Sequence, residues 1–306
     1  MYTNIFFHYF STGAKLKSQI HDKEQGMLLI QLIEALSGRT WTGKEAILVA
    51  IKDLIEANPG NVQTMLQDAN NPLTEDIVIM KSLLRECGKE RMDYKIVAID
   101  TTSTILRSLD LDYFQALYTM LLPFIRKALD EEKDEKKDDD KGDGNETYSL
   151  DLQLAVVKSL GQAWPESPDT QKIHVEEFLS VLDAMIQNTT RKLQLVITTS
   201  LGQVISSYNT NIVTDEIVFN KTSNILAFAL SMPKNSQLRS EALDVLDQSL
   251  SVLNRSSIMK DEFQTKLIKS LDDVIKDLAT DAALKDKARK MKEKLLNFQE
   301  IPMDCD

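Results

Sequence analysis

The chain has 306 residues, a formal net charge of −11 and 42% hydrophobic residues. This length suits two ordinary domains or one elongated one. The acidic balance argues against a partner that presents a phosphate backbone, which requires clustered lysine and arginine. With only 10 glycines and 7 prolines, few breaks interrupt the elements, and the composition favours long helices.

The two cysteines, Cys87 and Cys305, lie far apart in the sequence. A disulfide framework is therefore not expected, and the cysteine content suits a reducing compartment. The opening residues 1–15 lack the basic leader of a secretory signal, and no apolar run approaches the ~20 residues that span a bilayer. We expect a cytoplasmic protein, with the nucleus as a second compartment and no insertion into the membrane.

Apolar residues recur at spacings of three and four along most of the chain, which predicts helices with one buried face. Residues 1–24 form a poorly defined lead segment, followed by predicted helix pairs over 25–129 and again over 148–298. The individual helices are expected at 25–36, 45–57, 73–88, 94–109, 111–129, 152–164, 168–187, 193–206, 212–230, 238–253, 259–278 and 281–298. No segment shows the alternating pattern of a strand.

Several helices open alike, with a basic residue before an apolar run that contains alanine. The openings lie at Lys44, Lys95, Lys192, Arg239 and Lys287, with Asp151 in the same place between the second and third. Their separations are 51, 56, 41, 47 and 48 residues, close to the ~40–47 of HEAT and armadillo repeats. The fold class is therefore predicted to be all-α, a HEAT/armadillo-like superhelical stack of antiparallel helix pairs. A closed helical bundle is the alternative.

The segment 130–147 interrupts this pattern. Ten carboxylates and four lysines lie between Asp130 and Glu146, a local balance of −6. Without apolar residues such a stretch cannot bury enough surface to offset its ordering entropy. We predict a disordered loop there and a flexible tail over 299–306.

The stretch Gly38–Lys44 has the glycine and lysine spacing of a phosphate-binding loop. A working loop follows a strand and carries serine or threonine after the lysine, whereas here a helical pattern precedes it and Glu45 follows. We interpret it as a corner between two helices, with Gly38 ending the first, Thr42 and Glu45 forming a capping box, and Trp41 packed as an anchor. An enzyme that binds nucleotide through this loop is the competing hypothesis.

Other chemistry-bearing residues form no convincing site. His8, His21 and His174 lack the spacing of metal ligands and are interpreted as ordinary surface histidines, and Cys87 has no nearby histidine to activate it. We therefore predict no catalytic, cofactor or metal residues, and no residue can be assigned to partner binding. The basic run 285–294 is interpreted as the solvated face of a final helix, with nucleic acid, acidic lipid or the acidic loop as alternative partners.

Trp164 lies just before Pro165, which ends the preceding helix. It is expected to pack beneath that turn, and a partner-binding role is the alternative.

Four segments together resemble a known family in their order and spacing. They are LSGRTWTGKEAI (36–47), LLRECGKERMDYKIVAID (83–100), SLGQAWPESPDTQ (159–171) and LRSEALDVLD (238–247). They are similar to the C-terminal end of the large HEAT-repeat proteasome adapter and scaffold proteins. The resemblance runs from Gly26 to Leu296, although family chains are several times longer and residues 1–20 do not look like the preceding family repeat.

This resemblance implies a non-enzymatic role without cofactors. Family members associate with the 26S proteasome, link its core particle to its regulatory particle, and are connected with proteasome assembly, quality control and tethering at membranous compartments. The expected partners are therefore the proteasome core and regulatory particles, with other adapter or vesicle-associated proteins as further candidates, and no nucleic acid. The alternative is a helical-solenoid adapter for transport or membrane tethering that does not contact the proteasome.

Overall fold

The computed structural model describes residues 22–67, 76–134, 149–207, 216–253 and 261–297. None of these residues forms a strand, and most lie in helices. The helices, numbered in chain order, are α1 (Asp22–Ala35), α2 (Glu45–Ala57), α3 (Pro59–Gln67), α4 (Asp76–Cys87), α5 (Met92–Leu109), α6 (Phe114–Asp134), α7 (Leu150–Gln162), α8 (Pro168–Gln187), α9 (Arg191–Ser206), α10 (Glu216–Ser231), α11 (Ser236–Leu253), α12 (Asp261–Lys276) and α13 (Ala282–Asn297).

The twelve helices expected from apolar spacing are all present, within a few residues of their predicted bounds. The short helix α3, which opens with Pro59-Gly60, was not predicted. Proline is well tolerated in the first turn of a helix, where its missing N–H has no partner to lose.

The predicted loop and terminal segments fall largely outside the described residues. Helix α6 continues to Asp134, so it includes the first residues of the acidic segment 130–147. The rest of that segment, most of the lead segment 1–24 and the tail 299–306 lie outside the described part of the chain.

The chain divides into two compact units, residues 1–120 and 121–306, and the boundary falls within α6. In the second unit each helix packs on the helix two further along the chain. Helices α7, α9, α11 and α13 contact one another in succession, as do α8, α10 and α12, and contacts between the two rows close the core. This arrangement is the predicted repeat stack, in which each helix buries its apolar stripe against its neighbours.

In the first unit, α5 is the helix on which the others converge, because α2, α3 and α4 all pack against it and α1 packs on α2. The apolar stripe on α2 shows which side chains this packing buries. Its Ile47, Leu48, Ile51, Leu54 and Ile55 are all buried. These are the residues whose spacing predicted the helix.

A buried polar side chain near the start of several helices donates hydrogen bonds to backbone carbonyls at the end of the preceding helix. Lys44 Nζ bonds Leu36 O at 2.7 Å, Gln194 Nε2 bonds Ile186 O at 3.2 Å, and Arg239 Nε bonds Leu230 O at 2.9 Å. The last carbonyls of a helix have no partner within it. We call these three residues the helix clamps, because each supplies that missing partner.

Three further glutamines, Gln25, Gln171 and Gln264, also donate hydrogen bonds to backbone carbonyls of other helices and turns. Gln171 Nε2 bonds Pro165 O at 2.6 Å and Ser207 O at 2.7 Å, so it connects the turns that follow α7 and α9. Gln25 Nε2 bonds Leu54 O at 2.8 Å and Gln264 Nε2 bonds Leu295 O at 2.6 Å. Buried carbonyls at the ends of α2 and α13 are thereby also satisfied.

Two glycines allow close approach within one row of the stack. The sequence SLGQ occurs at 159–162 and again at 200–203, on α7 and α9. A Cβ on Gly161 would lie 2.6 Å from Ser200 Cβ and 2.8 Å from Ser200 Cα, and one on Gly202 would lie 2.8 Å from Val245 Cγ2. Consecutive helices of this row therefore touch at positions where no side chain fits.

We expect Gly161→Ala to destabilise the second unit by about 1–3 kcal/mol, because the added methyl meets the backbone of α9. The matched change is Gly60→Ala on α3, where nothing lies within 4 Å of the added atom. That variant should be stabilised by about 0.4–1 kcal/mol through the lower entropy of its unfolded chain. Urea unfolding followed by circular dichroism measures both, and equal effects of the two changes would contradict the close packing.

Candidate functional site

The stretch that resembles a phosphate-binding loop forms the turn between α1 and α2, as the corner interpretation predicted. Gly38 has φ of 92° and Gly43 has φ of 96°, values in the left-handed region that favours glycine. The ring of Trp41 lies 3.3 Å from the place where a Cβ on residue 43 would be. Glycine at 43 therefore serves both the backbone turn and the position of the indole.

Lys44, the residue that would contact phosphate in a nucleotide site, is fully buried. Its ammonium bonds Glu86 Oε2 at 2.9 Å, in addition to the Leu36 carbonyl. It also lies 5.8 Å from the centroid of the Tyr94 ring. A buried charge requires such partners, and these contacts direct the lysine into the core of the first unit and away from any ligand in solvent.

Glu86 is the acceptor at the centre of this cluster and is also fully buried. It accepts hydrogen bonds from the Tyr94 hydroxyl at 2.7 Å and from Arg85 Nε at 3.1 Å, besides Lys44. Burial alone would raise the pKa of the Glu86 carboxyl, but the hydrogen bonds from Tyr94, Lys44 and Arg85 outweigh it and hold the pKa below its ordinary value. The carboxylate is thus ionised and fully engaged.

Arg91 ties the same turn to the start of α5. Its Nη2 lies 2.6 Å from Glu45 Oε2 and its Nη1 donates to the Trp41 carbonyl at 3.3 Å. Its guanidinium also lies 5.5 Å from the Tyr94 ring centroid. The hydrogen bond to Glu45 is the largest contribution to a raised Arg91 pKa. Together with Lys44, Arg91 fixes the backbone of the turn at both its ends.

The predicted capping box is wrong in its register. Helix α2 begins at Glu45, and Lys44, not Thr42, occupies the position before it, without a capping hydrogen bond from its side chain. Glu45 Oε2 accepts a hydrogen bond from the Gly43 backbone N–H at 3.2 Å. The Lys44 side chain instead enters the core, where it bonds Glu86.

The two tryptophans differ in their exposure to solvent. Trp164 is buried at 7% exposure and stacks on Phe178 with ring centroids 5.2 Å apart, which confirms its predicted packing. Trp41 is 55% exposed, so its predicted role as a packed anchor is wrong. The Trp41 turn is fixed through its carbonyl, which accepts from the Lys44 N–H at 3.1 Å as well as from Arg91, and this leaves the indole in solvent.

Charged side chains of both signs lie on this turn and on the elements bonded to it, since Glu34, Glu90 and Asp93 are exposed there as well. Arg39 and Thr42 are exposed on the same turn, the Arg85 side chain is 50% exposed, and Arg91 is partly exposed beside them. We call this set (Arg39, Trp41, Thr42, Arg85 and Arg91) the Trp41 surface. An aromatic and arginine side chains on a fixed backbone are the residue types enriched where proteins bind one another.

The remaining residues considered from sequence have structural surroundings. His174 is buried, and this burial lowers its pKa, so its interpretation as a surface histidine is wrong; His8 and His21 lie outside the described residues. Burial raises the pKa of the Cys87 thiol to about 12, and its Sγ contacts Thr102 Oγ1 at 3.2 Å. In the described ranges no three or more histidine, cysteine or acidic side chains are grouped to hold a metal ion.

The basic run at 285–294 lies on α13. Lys287 pairs with Asp244 and Lys294 with Asp247 on α11, both at 2.6 Å, and Lys292 pairs with Asp272 on α12 at the same distance. Much of its charge therefore meets carboxylates of neighbouring helices. As for membranes, the described residues contain no helix with the length and apolar content to cross a bilayer.

Comparison with known proteins gives consistent matches. The model of a family described as ECM29, C-terminal ARM-like repeats, matches residues 78–277. The human proteasome adapter and scaffold protein ECM29 is 28% identical over 297 residues, which cover 94% of this chain and 16% of that protein. The Drosophila melanogaster proteasome-associated protein ECM29 homolog is 25% identical over 203 residues, or 63% of this chain and 10% of that one. No solved structure matches the chain.

Removing either partner of the Lys44–Glu86 pair should destabilise the first unit. We expect Lys44→Met and Glu86→Gln each to destabilise the first unit by about 3–5 kcal/mol, because each leaves a buried charged group without its partner. The double variant should lose much less than the sum, since no charge is then left unpaired. Denaturant unfolding of the four proteins measures the coupling.

Lys52 provides the control for this cycle, because Lys52 on α2 pairs with Asp100 on α5 at 2.7 Å while both side chains keep 27% exposure. Lys52→Met should cost less than about 1 kcal/mol. If Lys44→Met costs as little as Lys52→Met, or if magnesium–ATP raises the melting temperature of the unaltered chain, the buried clamp is not the role of Lys44.

Acidification should also destabilise the chain. Hydrogen bonds lower the pKa of Glu86, as described above, and the Ala279 N–H followed by Arg239 lowers that of Asp277. Their stabilising contributions are present above the ordinary values, 4.5 and 3.8. They are lost as the pH falls through the folded pKa, because the unfolded state then binds more protons. Unfolding midpoints measured down to pH ~3 should fall less steeply in Glu86→Gln than in the unaltered chain; equal slopes would contradict the lowered pKa of Glu86.

Proposed function

We propose that this chain, which belongs to the family of ECM29 C-terminal ARM-like repeats, is a non-catalytic adapter and scaffold that binds the 26S proteasome. The observation that carries this proposal is the alignment with the human proteasome adapter and scaffold protein ECM29 across 94% of the chain. The named role of the Drosophila relative, association with the proteasome, points the same way.

The chain spans 16% and 10% of the lengths of these two relatives. The proposal therefore concerns only the part of such a protein that this chain matches. In our proposal the chain links the core and regulatory particles and supports proteasome assembly or quality control, in the cytoplasm and also in the nucleus.

A binding role without catalysis suits the way in which the described residues use their polar groups. The buried charges of Lys44, Glu86 and Arg239 are engaged in hydrogen bonds between helices. The thiol of Cys87 has a raised pKa and is fully buried, which disfavours the thiolate that a nucleophile requires. What the stack offers to a partner is its outer surface, as in other repeat proteins.

The test is an affinity pull-down of the tagged 306-residue chain from cell extract, with core and regulatory subunits scored separately by mass spectrometry. Purified 26S proteasome, and each purified particle alone, is then offered to the immobilised chain. Recovery of both particles is the expected result, and recovery of one only would restrict the role to that particle. A second acidic helical protein serves as the control for binding through charge alone.

Recovery of neither particle, from extract or as purified material, would overturn the proposal. Enrichment of vesicle-associated proteins in place of proteasome subunits would then favour the alternative, an adapter for transport or membrane tethering.

A further inference from the structure

Two glutamine side chains bridge neighbouring helices in the row that contains α7, α9 and α11. A Cβ on Gly161 of α7 would lie 2.7 Å from Gln203 Oε1 of α9, and a Cβ on Gly202 of α9 would lie 3.4 Å from Gln248 Oε1 of α11. Each amide oxygen therefore lies over a glycine of the preceding helix in the row. We call Gln203 and Gln248 the glutamine pair.

The oxygens of this pair face the protein, which leaves the amide nitrogens for a partner. The Gln203 oxygen is buried and accepts no conventional hydrogen bond within the described ranges. A Cα–H group is a weak donor to such an oxygen, whereas it cannot accept from an amide N–H in the same place. Because the oxygens lie over the glycines, the pair offers N–H donors to solvent, from a half-buried residue at 203 and an exposed one at 248.

The surroundings of the pair repeat from one helix to the next. Ser206 and Ser251, each three residues after a glutamine of the pair, are both exposed. Each donates a hydrogen bond to the backbone carbonyl of that glutamine, at 2.8 Å and 2.7 Å. Adjacent helices of a repeat stack that present the same polar groups form an extended surface that suits an elongated ligand.

Charge favours a neutral ligand on this surface. On α9 no charged residue follows Lys192. On α11, Asp244 and Asp247 are both paired with lysines of α13. The last two turns of α7 contribute one charge, Lys158, which offsets the opposite charge of Glu241 on α11. No excess of either sign is left for an acidic or a basic partner to neutralise.

The spacing of the helices matches the period of a polyproline II helix. Packed helices lie ~8–10 Å apart, and the contacts at Gly161 and Gly202 bring α7, α9 and α11 together in succession. A polyproline II segment has about 3 residues per turn and rises ~3.1 Å per residue, so the same side recurs every ~9 Å. A β-strand repeats every ~6.6 Å and would not stay in step with the helices.

A proline-rich segment also matches the hydrogen-bonding groups of the pair. Proline has no backbone N–H, and a polyproline II helix makes no internal hydrogen bonds, so the segment presents carbonyl oxygens. These oxygens are acceptors for the N–H groups of glutamine. A segment with many backbone N–H groups would need acceptors, and the amide oxygens of the pair are turned away from it.

We propose that the glutamine pair binds a proline-rich segment in the polyproline II conformation, which crosses α9 and α11 with one turn on each helix. Its backbone carbonyls accept hydrogen bonds from Gln203 Nε2 and Gln248 Nε2. The inference goes beyond the proposed function, because it assigns a ligand chemistry that does not depend on which protein supplies the segment.

The experiment measures the binding of a fluorescein-labelled peptide of nine prolines to the purified 306-residue chain by fluorescence anisotropy. A labelled peptide of nine alternating glycine and serine residues is the control for binding of any extended chain. We expect the proline peptide to bind and the glycine–serine peptide to bind at least tenfold more weakly, since it is flexible and rich in N–H donors.

Gln203→Leu and Gln248→Leu remove the amide donors and keep a side chain of similar size. Each should weaken binding by about three- to tenfold, as expected for the loss of one hydrogen bond. Gln248→Glu should weaken it at least as much, because it keeps the shape and replaces the donor by a carboxylate oxygen. Gln187→Leu is the matched control, since Gln187 is an exposed glutamine of α8, in the other row, and its binding should not change.

The melting temperatures of the four variants are compared first and should stay close to that of the unaltered chain. Weaker binding in the three variants of the pair, with Gln187→Leu unchanged, would support the inference. It is overturned if the proline peptide does not bind the unaltered chain, if the glycine–serine peptide binds equally well, or if the variants of the pair bind like the unaltered chain. These outcomes leave the scaffold role standing, because the proteasome pull-down tests that role separately.

Discussion

A stack of helices must satisfy the backbone carbonyls at each helix end that it buries, and in this protein side chains from adjacent helices do so. Lys44, Gln194 and Arg239 each reach back to the end of the helix before them. Because a carbonyl left without a partner inside the protein costs about 1–3 kcal/mol, the polar residue at this position is as necessary to the stack as the apolar stripe. The repeat is thus defined by a hydrogen bond as well as by hydrophobic spacing.

Two of the three helix clamps carry a charge, and this charge couples helices that are distant in sequence. Lys44 pairs with Glu86 at the end of α4. Arg239 pairs with Asp277, just after α12, at 2.6 Å. Burying an ion pair has a high desolvation cost, so its net contribution to stability is small. Its effect is on arrangement, since any shift of α4 relative to the turn before α2 would leave two buried charges unpaired.

The helices could be predicted from the sequence because each carries a long apolar stripe, and the repeat could be predicted because similar openings recur. Glu86 could also have been found, since Ile79, Leu83 and Glu86 lie at spacings of four and three and so share one buried face of α4. Such a charged residue on a buried face implies a partner of opposite sign. The basic residue of LSGRTWTGKEAI, Lys44, was visible as well, but its partner lies 42 residues away and no local pattern connects them.

The exposure of Trp41 could not be predicted, because turns have no periodicity that separates an inner from an outer face. A large aromatic residue beside a glycine suggests packing, and at Trp164 that expectation holds. At Trp41 the buried lysine three residues later already fixes the turn through the backbone, so the ring is not needed to hold it.

A comparison of the turns before the helix clamps separates the residues that the clamp requires from the extra residues of the turn between α1 and α2. The turn before Gln194 performs the same clamping with the short connection 188–190, and without tryptophan. The shared task explains Lys44, whereas the side chains of Trp41 and Arg39 take no part in it, so the stack does not require the added residues of the first turn.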